Sequence, residues 1–353
     1  MVKPRVALAG LKVCEHGGER LKNKNGPIID FSVSLNPYGP PDFIANAIQE
    51  AVEELSIYPE TECSELRALI ARKYNREENE ILVAAGSSEL IPLVTLTFVN
   101  QRVIIPEHTY GEYETAARMM GAHIEYVEMP ALQITPELIV EEMRTDDVVF
   151  LCNPNNPTGQ YLGKPEIELM VDEAERVDAL LVLDEAYVDF VRGAFPSTEL
   201  RSPNLIILRS LTKSFAIPGV RIGYAIAAAD LITEMRKIKV PWSVSVFAQK
   251  IGAAVLGSKG DEFLGHTREK LERSKRRIED AWGIHSDANY YILDVGSGTE
   301  VKSALLKERI MVRDCTSFGL PSSIRFSVKR DEENELLIRH LMRFFSSKNT
   351  QPE

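Results

Sequence analysis

The sequence predicts an α/β protein, with a large domain built on a mainly parallel sheet and a smaller α+β domain at the C-terminus. Short apolar runs bounded by polar or turn residues predict buried strands. Between these runs, apolar residues recur at three- and four-residue spacing, which predicts amphipathic helices. Alternation of strand and helix is typical of a parallel sheet. The 353 residues suit a large domain with a smaller companion, since one domain usually takes about 100–200 residues.

The strands of the large domain are predicted at residues 81–84, 102–105, 148–151, 180–183 and 205–208. Helices are predicted between them, for example at residues 111–120 and 166–177. A long charged helix at residues 262–282 leads to a second group of elements. That group comprises strands at 290–295, 310–313 and 323–328 and a closing helix at 333–345. We divide the chain into an N-terminal segment that contributes to the active site and the small domain, a large domain and a small domain, at residues 1–41, 42–255 and 256–353.

Composition and charge argue against several classes of protein. With 41 Lys and Arg against 52 Asp and Glu, the net charge of −11 argues against a general nucleic-acid binder. The apolar fraction of 44% is too high for a disordered chain, and no apolar run approaches the roughly 20 residues that span a bilayer. The four cysteines and six histidines are too scattered for a metal site or a disulfide scaffold, so buried thiols are expected. We expect a cytoplasmic protein without a metal.

Polar side chains of different chemical types follow successive predicted strands. Asn156 lies in a loop after one strand, Asp184 follows the next strand, and Lys213 follows the third, with Arg221 further along. Ligands of parallel α/β folds bind beyond the carboxyl ends of the strands, so these side chains are expected to share one site. Catalysis by pyridoxal phosphate requires such a set: an amine for a Schiff base, an acid for the pyridinium nitrogen and an anion site for the phosphate.

On these residues the chain resembles the fold-type I pyridoxal-phosphate enzymes, the aspartate aminotransferase superfamily, with the lysine in the segment SLTK. The resemblance implies that Lys213 forms the Schiff base with the cofactor and later carries the proton at the substrate carbon. It also implies that Asp184 pairs with the ring nitrogen and that Asn156 and Tyr187 hydrogen-bond the ring hydroxyl oxygen. Tyr110 matches the aromatic residue that stacks on the ring, although a core aromatic is the structural alternative.

The same resemblance assigns the cofactor phosphate. Ser87 and Ser88 lie between a predicted strand and a helix, where N-terminal amide groups bind anions. Ser210 and Arg221 match the other phosphate ligands of the superfamily, and a guanidinium suits two-point contact. Tyr58 matches a tyrosine that reaches the phosphate from the neighbouring subunit. The resemblance therefore implies a homodimer with shared active sites.

The substrate side resembles two subfamilies that handle phosphorylated substrates: histidinol-phosphate aminotransferase and the threonine-phosphate decarboxylase of cobalamin biosynthesis. Arg325 matches the arginine that holds the substrate carboxylate, and Arg313 is a second cation on the preceding strand. His16 begins an HGG element like that of the decarboxylases, whose histidine approaches the substrate phosphate. Further decarboxylase-like segments are DFS, NPYGP, RSLTKSFAIPGVRIG, PWSV and NY, at residues 30–32, 36–40, 209–223, 241–244 and 289–290.

We therefore expect a small phosphorylated amino-acid substrate, bound by His16, Ser34, Asn156, Arg313 and Arg325. The expected reaction converts L-threonine O-3-phosphate to (R)-1-amino-2-propanol O-2-phosphate and carbon dioxide. The product would be the linker between the corrin ring and its nucleotide loop. Clamping phosphate and carboxylate would stand the carbon–carboxylate bond upright on the cofactor ring, so that this bond breaks.

Departures from the decarboxylase pattern keep alternatives open. Ser34 stands where those enzymes carry an asparagine, Glu19 stands where an asparagine usually follows HGG, and Tyr187 is a feature shared with aminotransferases. The first alternative is a histidinol-phosphate aminotransferase with 2-oxoglutarate as second substrate. The second is a pyridoxal-phosphate-binding regulator without turnover, which the acidic charge and the lack of a helix-turn-helix pattern disfavour.

Overall fold

The computed structural model of the protein describes residues 2–18 and 27–348. Its α-helices are α1 Ile44–Glu53, α2 Ser64–Tyr74, α3 Ser87–Phe98, α4 Glu112–Met120, α5 Pro136–Glu142, α6 Lys164–Val177, α7 Leu211–Ser214, α8 Ala229–Ile238, α9 Val246–Leu256, α10 Ser258–Trp282, α11 Gly298–Lys307 and α12 Asp331–Lys348. Its strands are β1 Ile29–Asp30, β2 Ile81–Ala84, β3 Arg102–Pro106, β4 His123–Val127, β5 Val148–Cys152, β6 Leu180–Asp184, β7 Leu205–Ser210, β8 Gly223–Ala227, β9 Tyr290–Asp294, β10 Ile310–Met311, β11 Arg313–Asp314 and β12 Ser323–Ser327.

A seven-stranded sheet in the order β2-β8-β7-β6-β5-β3-β4 forms the centre of the molecule. Only β8 runs antiparallel to its neighbours, so the prediction of a mainly parallel sheet is confirmed. The sequence analysis located five of these strands and missed two. In β4, polar residues such as Glu125 interrupt the apolar run because this edge strand is only partly buried. Strand β8 is fully buried, but Gly223 and the small alanines that follow it do not form a run of large apolar residues, so the pattern did not predict a strand.

Helices cover both faces of this sheet, and alternate strand residues supply two separate cores. Ile81 and Val83 pack in one core together with Leu66 of α2, whereas Leu82 packs in the other with Leu90 of α3. This division follows from the two-residue period of a strand, whose successive side chains point to opposite faces. Burial of apolar residues on both faces explains why the strands read as continuous apolar runs.

The C-terminal part has its own core and two small sheets. Strands β11, β12 and β9 form an antiparallel sheet, and β1 pairs with β10 in a parallel ladder. The single strand predicted at residues 310–313 is therefore wrong in detail, because its two halves pair with different partners on either side of Val312. Phe31 of the N-terminal segment packs in the C-terminal core with Val312. The N-terminal segment thus joins the C-terminal strands.

Helix α10 links the two parts of the molecule. Leu264 in its first half packs in a core of the large sheet, whereas Leu271 and Ile278 in its second half pack in the C-terminal core. The domain boundaries drawn from the sequence stay a prediction, since one continuous helix contributes to both sides. Among the described residues, no helix is both long enough and apolar enough to span a bilayer.

The cysteines follow the expectation of buried thiols with one exception. Cys63, Cys152 and Cys315 are free and buried. Cys14 is also free but is only partly buried, so the expectation is wrong for this residue. Cys14 lines the cavity at the carboxyl edge of the central sheet, and solvent still reaches its side chain there. Glu19, which departs from the decarboxylase pattern, lies outside the described residues.

Candidate active site

The candidate site lies at the carboxyl edge of the central sheet. The parallel register aligns Cys152 with Asp184, and Asp184 with Leu208, so β5, β6 and β7 end at the same level. The loop after β5 carries Asn156, and α7 begins directly after β7 and carries Lys213. A cavity of about 640 Å³ opens at this edge. The strand ends thus place an amide, a carboxyl and an amine around one space.

Most of the predicted site residues line this cavity. They are His16, Ser34, Ser88, Tyr110, Asn156, Tyr187, Lys213, Arg313 and Arg325. Ser87, Asp184, Ser210 and Arg221 do not line it themselves. Ser87 precedes the lining residue Ser88, and Arg221 donates to the Ser88 hydroxyl. Asp184 and Ser210 are the last residues of β6 and β7. Tyr58 is the one predicted site residue that lies elsewhere. The structure therefore brings most of the predicted site residues together around one cavity, while their individual roles stay predictions.

Asp184 is buried at the bottom of the site. The Tyr113 hydroxyl donates a hydrogen bond of 2.8 Å to its Oδ2, and the Ala186 amide donates one of 3.1 Å to its Oδ1. Burial raises the pKa of this carboxyl to about 6, against the opposing effect of the Tyr113 hydrogen bond. A cation beside the carboxyl would favour its charged form. Tyr113 was missed by the sequence analysis, although its spacing of three residues from Tyr110 at the start of a helix offered a signal.

Lys213 lines the cavity from the short helix α7. Burial lowers the pKa of its amine to about 8, and the charge of Arg221 lowers it further. The amine is therefore a nucleophile near neutral pH, as Schiff-base lysines require. The segment that carries it is held by hydrogen bonds: the Lys213 carbonyl accepts from the Asn36 amide at 3.0 Å, and the Ser210 and Thr212 hydroxyls lie 2.8 Å apart.

A buried ion network supports Asp184, Ser210 and Lys213 from behind. Each of them has a sequence neighbour in this network, namely Glu185, Arg209 and Ser214. Arg209 donates to Glu185 at 2.9 Å and to Asp189 at 2.8 Å. The Ser214 hydroxyl donates to the second carboxylate oxygen of Asp189 at 2.5 Å. We define Glu185, Asp189, Arg209 and Ser214 as the Arg209 network; it ties the ends of two strands to α7.

An anion cradle adjoins Lys213 at the start of α3. Arg221 Nη2 donates to Ser88 Oγ at 2.5 Å, and Ser87 is the first residue of the helix. Gly86 precedes Ser87 with a φ of +86°, and a Cβ there would lie only 2.7 Å from Arg221 Nη2. The glycine therefore leaves room for a guanidinium beside free helix N–H groups. This donor set, with an amine of lowered pKa and a buried acid nearby, fits pyridoxal phosphate.

Asn156 and Tyr187 close the side of the cavity next to Asp184. The Asn156 amide oxygen accepts a hydrogen bond from Arg325 Nη1, so its NH₂ group remains available as a donor. The Tyr187 ring packs edge-on against Tyr290 at a centroid distance of 5.0 Å. Burial raises the pKa of the Tyr187 phenol to about 12, which keeps it a hydrogen-bond donor at neutral pH. Both side chains present donors to an acceptor atom in the cavity.

Two guanidinium groups enter the cavity from neighbouring strands of the C-terminal sheet. Arg313 and Arg325 are direct cross-strand partners, and both are buried. Arg325 Nη2 donates to the Ser32 carbonyl at 2.7 Å, while its Nε is buried without a partner. Arg313 Nη2 donates to the Glu15 carbonyl at 2.7 Å and to Ser317 Oγ at 2.6 Å. Within the described part of the chain, neither guanidinium forms an ion pair with a carboxylate. The site therefore has an affinity for anions.

The N-terminal segment forms part of the cavity opening. The side chain of His16 is half exposed, and its Nε2 lies 2.8 Å from Glu112 Oε1 at the start of α4. The Gly18 amide donates to Ser32 Oγ at 2.9 Å, and a Cβ on Gly17 would approach the Ser32 carbonyl oxygen to 2.4 Å. The HGG element thus packs tightly on the strand segment beside the arginines. The sequence analysis did not foresee Glu112 as a partner of His16.

Tyr58 lies outside the cavity. Its side chain is 76% exposed, and its ring lies 4.8 Å from the ring of Trp242. The predicted contact between Tyr58 and a cofactor phosphate involves a second copy of the chain, so this role and the homodimer stay predictions. The exposed pair of aromatic rings is compatible with such an interface.

Comparisons with known proteins place this geometry in context. The family described as aminotransferase class I and II matches residues 26–341. A "Putative threonine-phosphate decarboxylase" of Caldanaerobacter subterraneus is 32% identical over 94% of this chain and 94% of its own length. A histidinol-phosphate aminotransferase of Archaeoglobus fulgidus is 31% identical over 89% of this chain and 92% of its own. The solved L-threonine-O-3-phosphate decarboxylase of Porphyromonas gingivalis is 26% identical with a TM-score of 0.82, covering 90% of this chain and 100% of that chain.

Proposed function

The chain belongs to the aminotransferase class I and II family of pyridoxal-phosphate-dependent enzymes, and from this premise we propose that it is a threonine-phosphate decarboxylase. The proposed reaction converts L-threonine O-3-phosphate to (R)-1-amino-2-propanol O-2-phosphate and carbon dioxide, as a step of cobalamin biosynthesis. Similarity to proteins named for this reaction supports the proposal, while similarly close relatives are named as aminotransferases. The choice between decarboxylase and aminotransferase therefore depends on the residues at the substrate side of the cavity.

The observation that carries the proposal is the pair of buried guanidinium groups, which have no carboxylate partner among residues 2–18 and 27–348. Arg313 and Arg325 enter one cavity, and the half-exposed imidazole of His16 lines the same space. Ser34 adds a buried hydroxyl that has no hydrogen-bond partner. A phosphorylated amino acid presents a phosphate and a carboxylate and would satisfy both cations at once. Histidinol phosphate carries a phosphate but no carboxylate, so in an aminotransferase the second cation would serve only the carboxylates of 2-oxoglutarate.

The proposed mechanism assigns a task to each residue of the chain. When bound, pyridoxal phosphate supplies the electron sink for the bond that breaks at the substrate α-carbon. Arg325 and Ser34 hold the substrate carboxylate, while Arg313 and His16 hold its phosphate. Clamping both anions fixes the orientation of the α-carbon and so selects the bond that breaks. Burial lowers the pKa of the Lys213 amine to about 8, so near neutral pH this amine can take up a proton and deliver it to the α-carbon in place of the lost carboxylate.

The buried acid and the tyrosines keep the cofactor side in one protonation state. The hydrogen bond from Tyr113 favours the carboxylate form of Asp184 against the effect of burial, and a cationic nitrogen beside it would favour that form further. Asn156 and Tyr187 provide donors for the ring hydroxyl oxygen. Anion-binding groups at α3 and Arg221 would hold the cofactor phosphate.

A histidinol-phosphate aminotransferase is the second candidate, and two observations favour it. Relatives named for that activity reach 31% identity, and Tyr187 is a feature shared with aminotransferases. In that reaction Lys213 would move the α-proton rather than replace a carboxylate, and 2-oxoglutarate would accept the amino group. The two candidate activities use the same cofactor-binding residues. They differ in the substrate groups that are bound at the opening of the cavity.

A direct test mixes the cofactor-loaded protein with O-phospho-L-threonine in the absence of any keto acid and measures carbon dioxide. The decarboxylase predicts catalytic release and an aminopropanol phosphate product, both lost in the Lys213→Ala variant. A parallel reaction supplies histidinol phosphate and 2-oxoglutarate and measures glutamate. Glutamate formation without carbon dioxide release would overturn the decarboxylase and support the aminotransferase.

A further inference from the structure

Three side chains of the kinds that bind transition metals meet at the opening of the cavity. The Cys14 thiol, the His16 imidazole and the Glu112 carboxylate each offer one ligand atom, and these atoms lie within 4.8 Å of one another. His16 Nε2 and Glu112 Oε1 are already 2.8 Å apart. Zinc binds sulfur at about 2.3 Å and nitrogen or oxygen at about 2.0–2.2 Å, in a tetrahedron. Small side-chain rotations would bring three such atoms around one ion.

Packing holds the cluster in place from two sides. Glu112 is the first residue of α4, and the next residue, Tyr113, is buried in the core and bonded to Asp184. Cys14 packs against Gly111, where a Cβ would come within 2.9 Å of its sulfur. The thiol can therefore approach the start of α4 only because residue 111 lacks a side chain. The cluster joins a fixed helix start to the N-terminal segment.

We propose that Cys14, His16 and Glu112 bind a divalent cation that prefers thiolate and imidazole ligands, with zinc as the first candidate. A thiolate and a carboxylate would balance the two charges of the ion, and the imidazole would bind in its neutral form. Three protein ligands leave a fourth position for water, as in zinc sites with an open coordination position. Sequence spacing gave no indication of this site because Glu112 comes from a distant segment.

Charges around the thiol show what the ion would change. Burial raises the pKa of Cys14 to about 11, and the negative charge of Glu112 raises it further, while Arg313 acts in the opposite direction. Without a cation, the thiol therefore keeps its proton. Binding of the ion would replace that proton and satisfy the carboxylate and the sulfur together.

Occupancy would alter substrate binding, an inference that rests on the proposed function. His16 cannot bind a metal ion and donate to a substrate phosphate through the same nitrogen. The ion would also hold the N-terminal segment against the start of α4. Zinc should therefore raise the KM for a phosphorylated substrate and leave kcat nearly unchanged. The site would make the enzyme sensitive to free zinc.

The first experiment measures binding of the metal alone. Cofactor-loaded protein is dialysed to equilibrium against zinc chloride, and bound zinc is counted per chain. We expect one zinc per chain, with affinity falling at least about tenfold in Cys14→Ser and in Glu112→Gln, since loss of one ligand removes a strong bond. Glu114→Gln, two residues further along the same helix, is the matched control and should bind like the wild type. Unchanged binding in Cys14→Ser, or no bound zinc in the wild type, would overturn the site.

The second experiment measures the effect on turnover. Carbon dioxide release from O-phospho-L-threonine is compared with and without saturating zinc, in the wild type and in Cys14→Ser. We expect zinc to raise KM several-fold in the wild type only. An equal KM in the wild type would overturn the regulatory effect. A protein that releases no carbon dioxide without zinc would instead contradict the proposed function, while the dialysis result would still decide the metal site.

Discussion

The two sides of the cavity differ in how far the protein satisfies its own polar groups. We call one side the floor, which consists of Asn156, Asp184, Ser210 and Lys213, and the other the rim, which consists of His16, Ser34, Arg313 and Arg325. On the floor, Asp184 and Ser210 are hydrogen-bonded within the protein. On the rim, Ser34 Oγ and Arg325 Nε are buried without partners. These two floor groups are therefore satisfied without substrate, whereas the rim needs an anion to satisfy its donors.

The origin of the residues differs in the same way. The floor comes from the ends of three adjacent parallel strands and is supported by the Arg209 network. The rim combines the N-terminal segment with two strands of the C-terminal sheet. A floor of this construction fixes the cofactor chemistry, and a rim assembled from other segments can change substrate without disturbing that chemistry. Mutations on the two sides should therefore have different kinds of effect.

The largest effect is expected on the floor, for Lys213→Ala. The variant loses the amine that binds the cofactor and carries the proton, so kcat should fall by on the order of 10⁴-fold, the upper range for removal of a positioned proton carrier. Single-turnover rates with O-phospho-L-threonine provide the measurement. Circular dichroism should show an unchanged fold, since the cavity-lining amine has no buried ion pair to lose. A residual rate within tenfold of the wild-type rate would show that Lys213 is not the proton carrier.

The next largest effect is expected behind the floor, for Arg209→Met. This change leaves the buried carboxylate of Glu185 and the partly buried carboxylate of Asp189 without their cation, and breaking a buried pair costs about 3–5 kcal/mol. Urea unfolding of the cofactor-free protein would measure the loss. Arg176→Met is the control, because the Arg176–Glu173 pair is exposed and its loss should leave the midpoint of unfolding unchanged. Equal stability of the two variants would contradict a supporting role for the network.

A smaller effect is expected on the rim, for Arg325→Lys. Lysine keeps the charge but cannot make the two-point contact of a guanidinium, and a hydrogen bond to a charged group contributes about 1.5–3 kcal/mol. The KM for O-phospho-L-threonine should rise about 10- to 100-fold while cofactor affinity stays the same. Arg330→Lys, on the surface nearby, is the control for a general effect of the substitution. Loss of cofactor affinity in Arg325→Lys would contradict the assignment of Arg325 to substrate binding alone.

The smallest effect concerns the pH dependence of cofactor uptake on the floor. Burial lowers the pKa of Lys213 from 10.5 to about 8, and only the neutral amine attacks an aldehyde. The rate of reconstitution of the cofactor-free protein should therefore rise about tenfold per pH unit below 8 and level off above it. Stopped-flow absorbance of added pyridoxal phosphate would record the profile. A midpoint near 10.5 would mean that the amine is not desolvated.

The floor could be predicted from the sequence to a greater extent than the rim. Asp184 and Lys213 follow uninterrupted apolar strands, and the parallel register brings such positions to one edge. The role of Tyr113 was not predicted, because this residue lies in α4 and its partner Asp184 comes from β6, a distant segment of the chain. On the rim, the contact of His16 with Glu112 depends on how the N-terminal segment packs on α4, which no local pattern encodes.

The C-terminal strands show the same limit. The apolar run at residues 310–313 predicts one strand, but Ile310 pairs with β1 and Arg313 with β12. A change of pairing partner within four residues is decided by tertiary packing, since β-propensity does not specify which strand a segment pairs with. This change of partner sets Arg313 opposite Arg325. The arginine pair was therefore predictable as two cations but not as one anion site.

The most direct test of the account compares carbon dioxide release from O-phospho-L-threonine with release from L-threonine by the same cofactor-loaded protein. Both substrates use the floor equally, and only the first presents a phosphate to His16 and Arg313. The account predicts a kcat/KM at least about 100-fold higher for the phosphorylated substrate, since two charge-assisted contacts contribute about 1.5 kcal/mol or more each. Equal values for the two substrates would contradict a rim that binds phosphate.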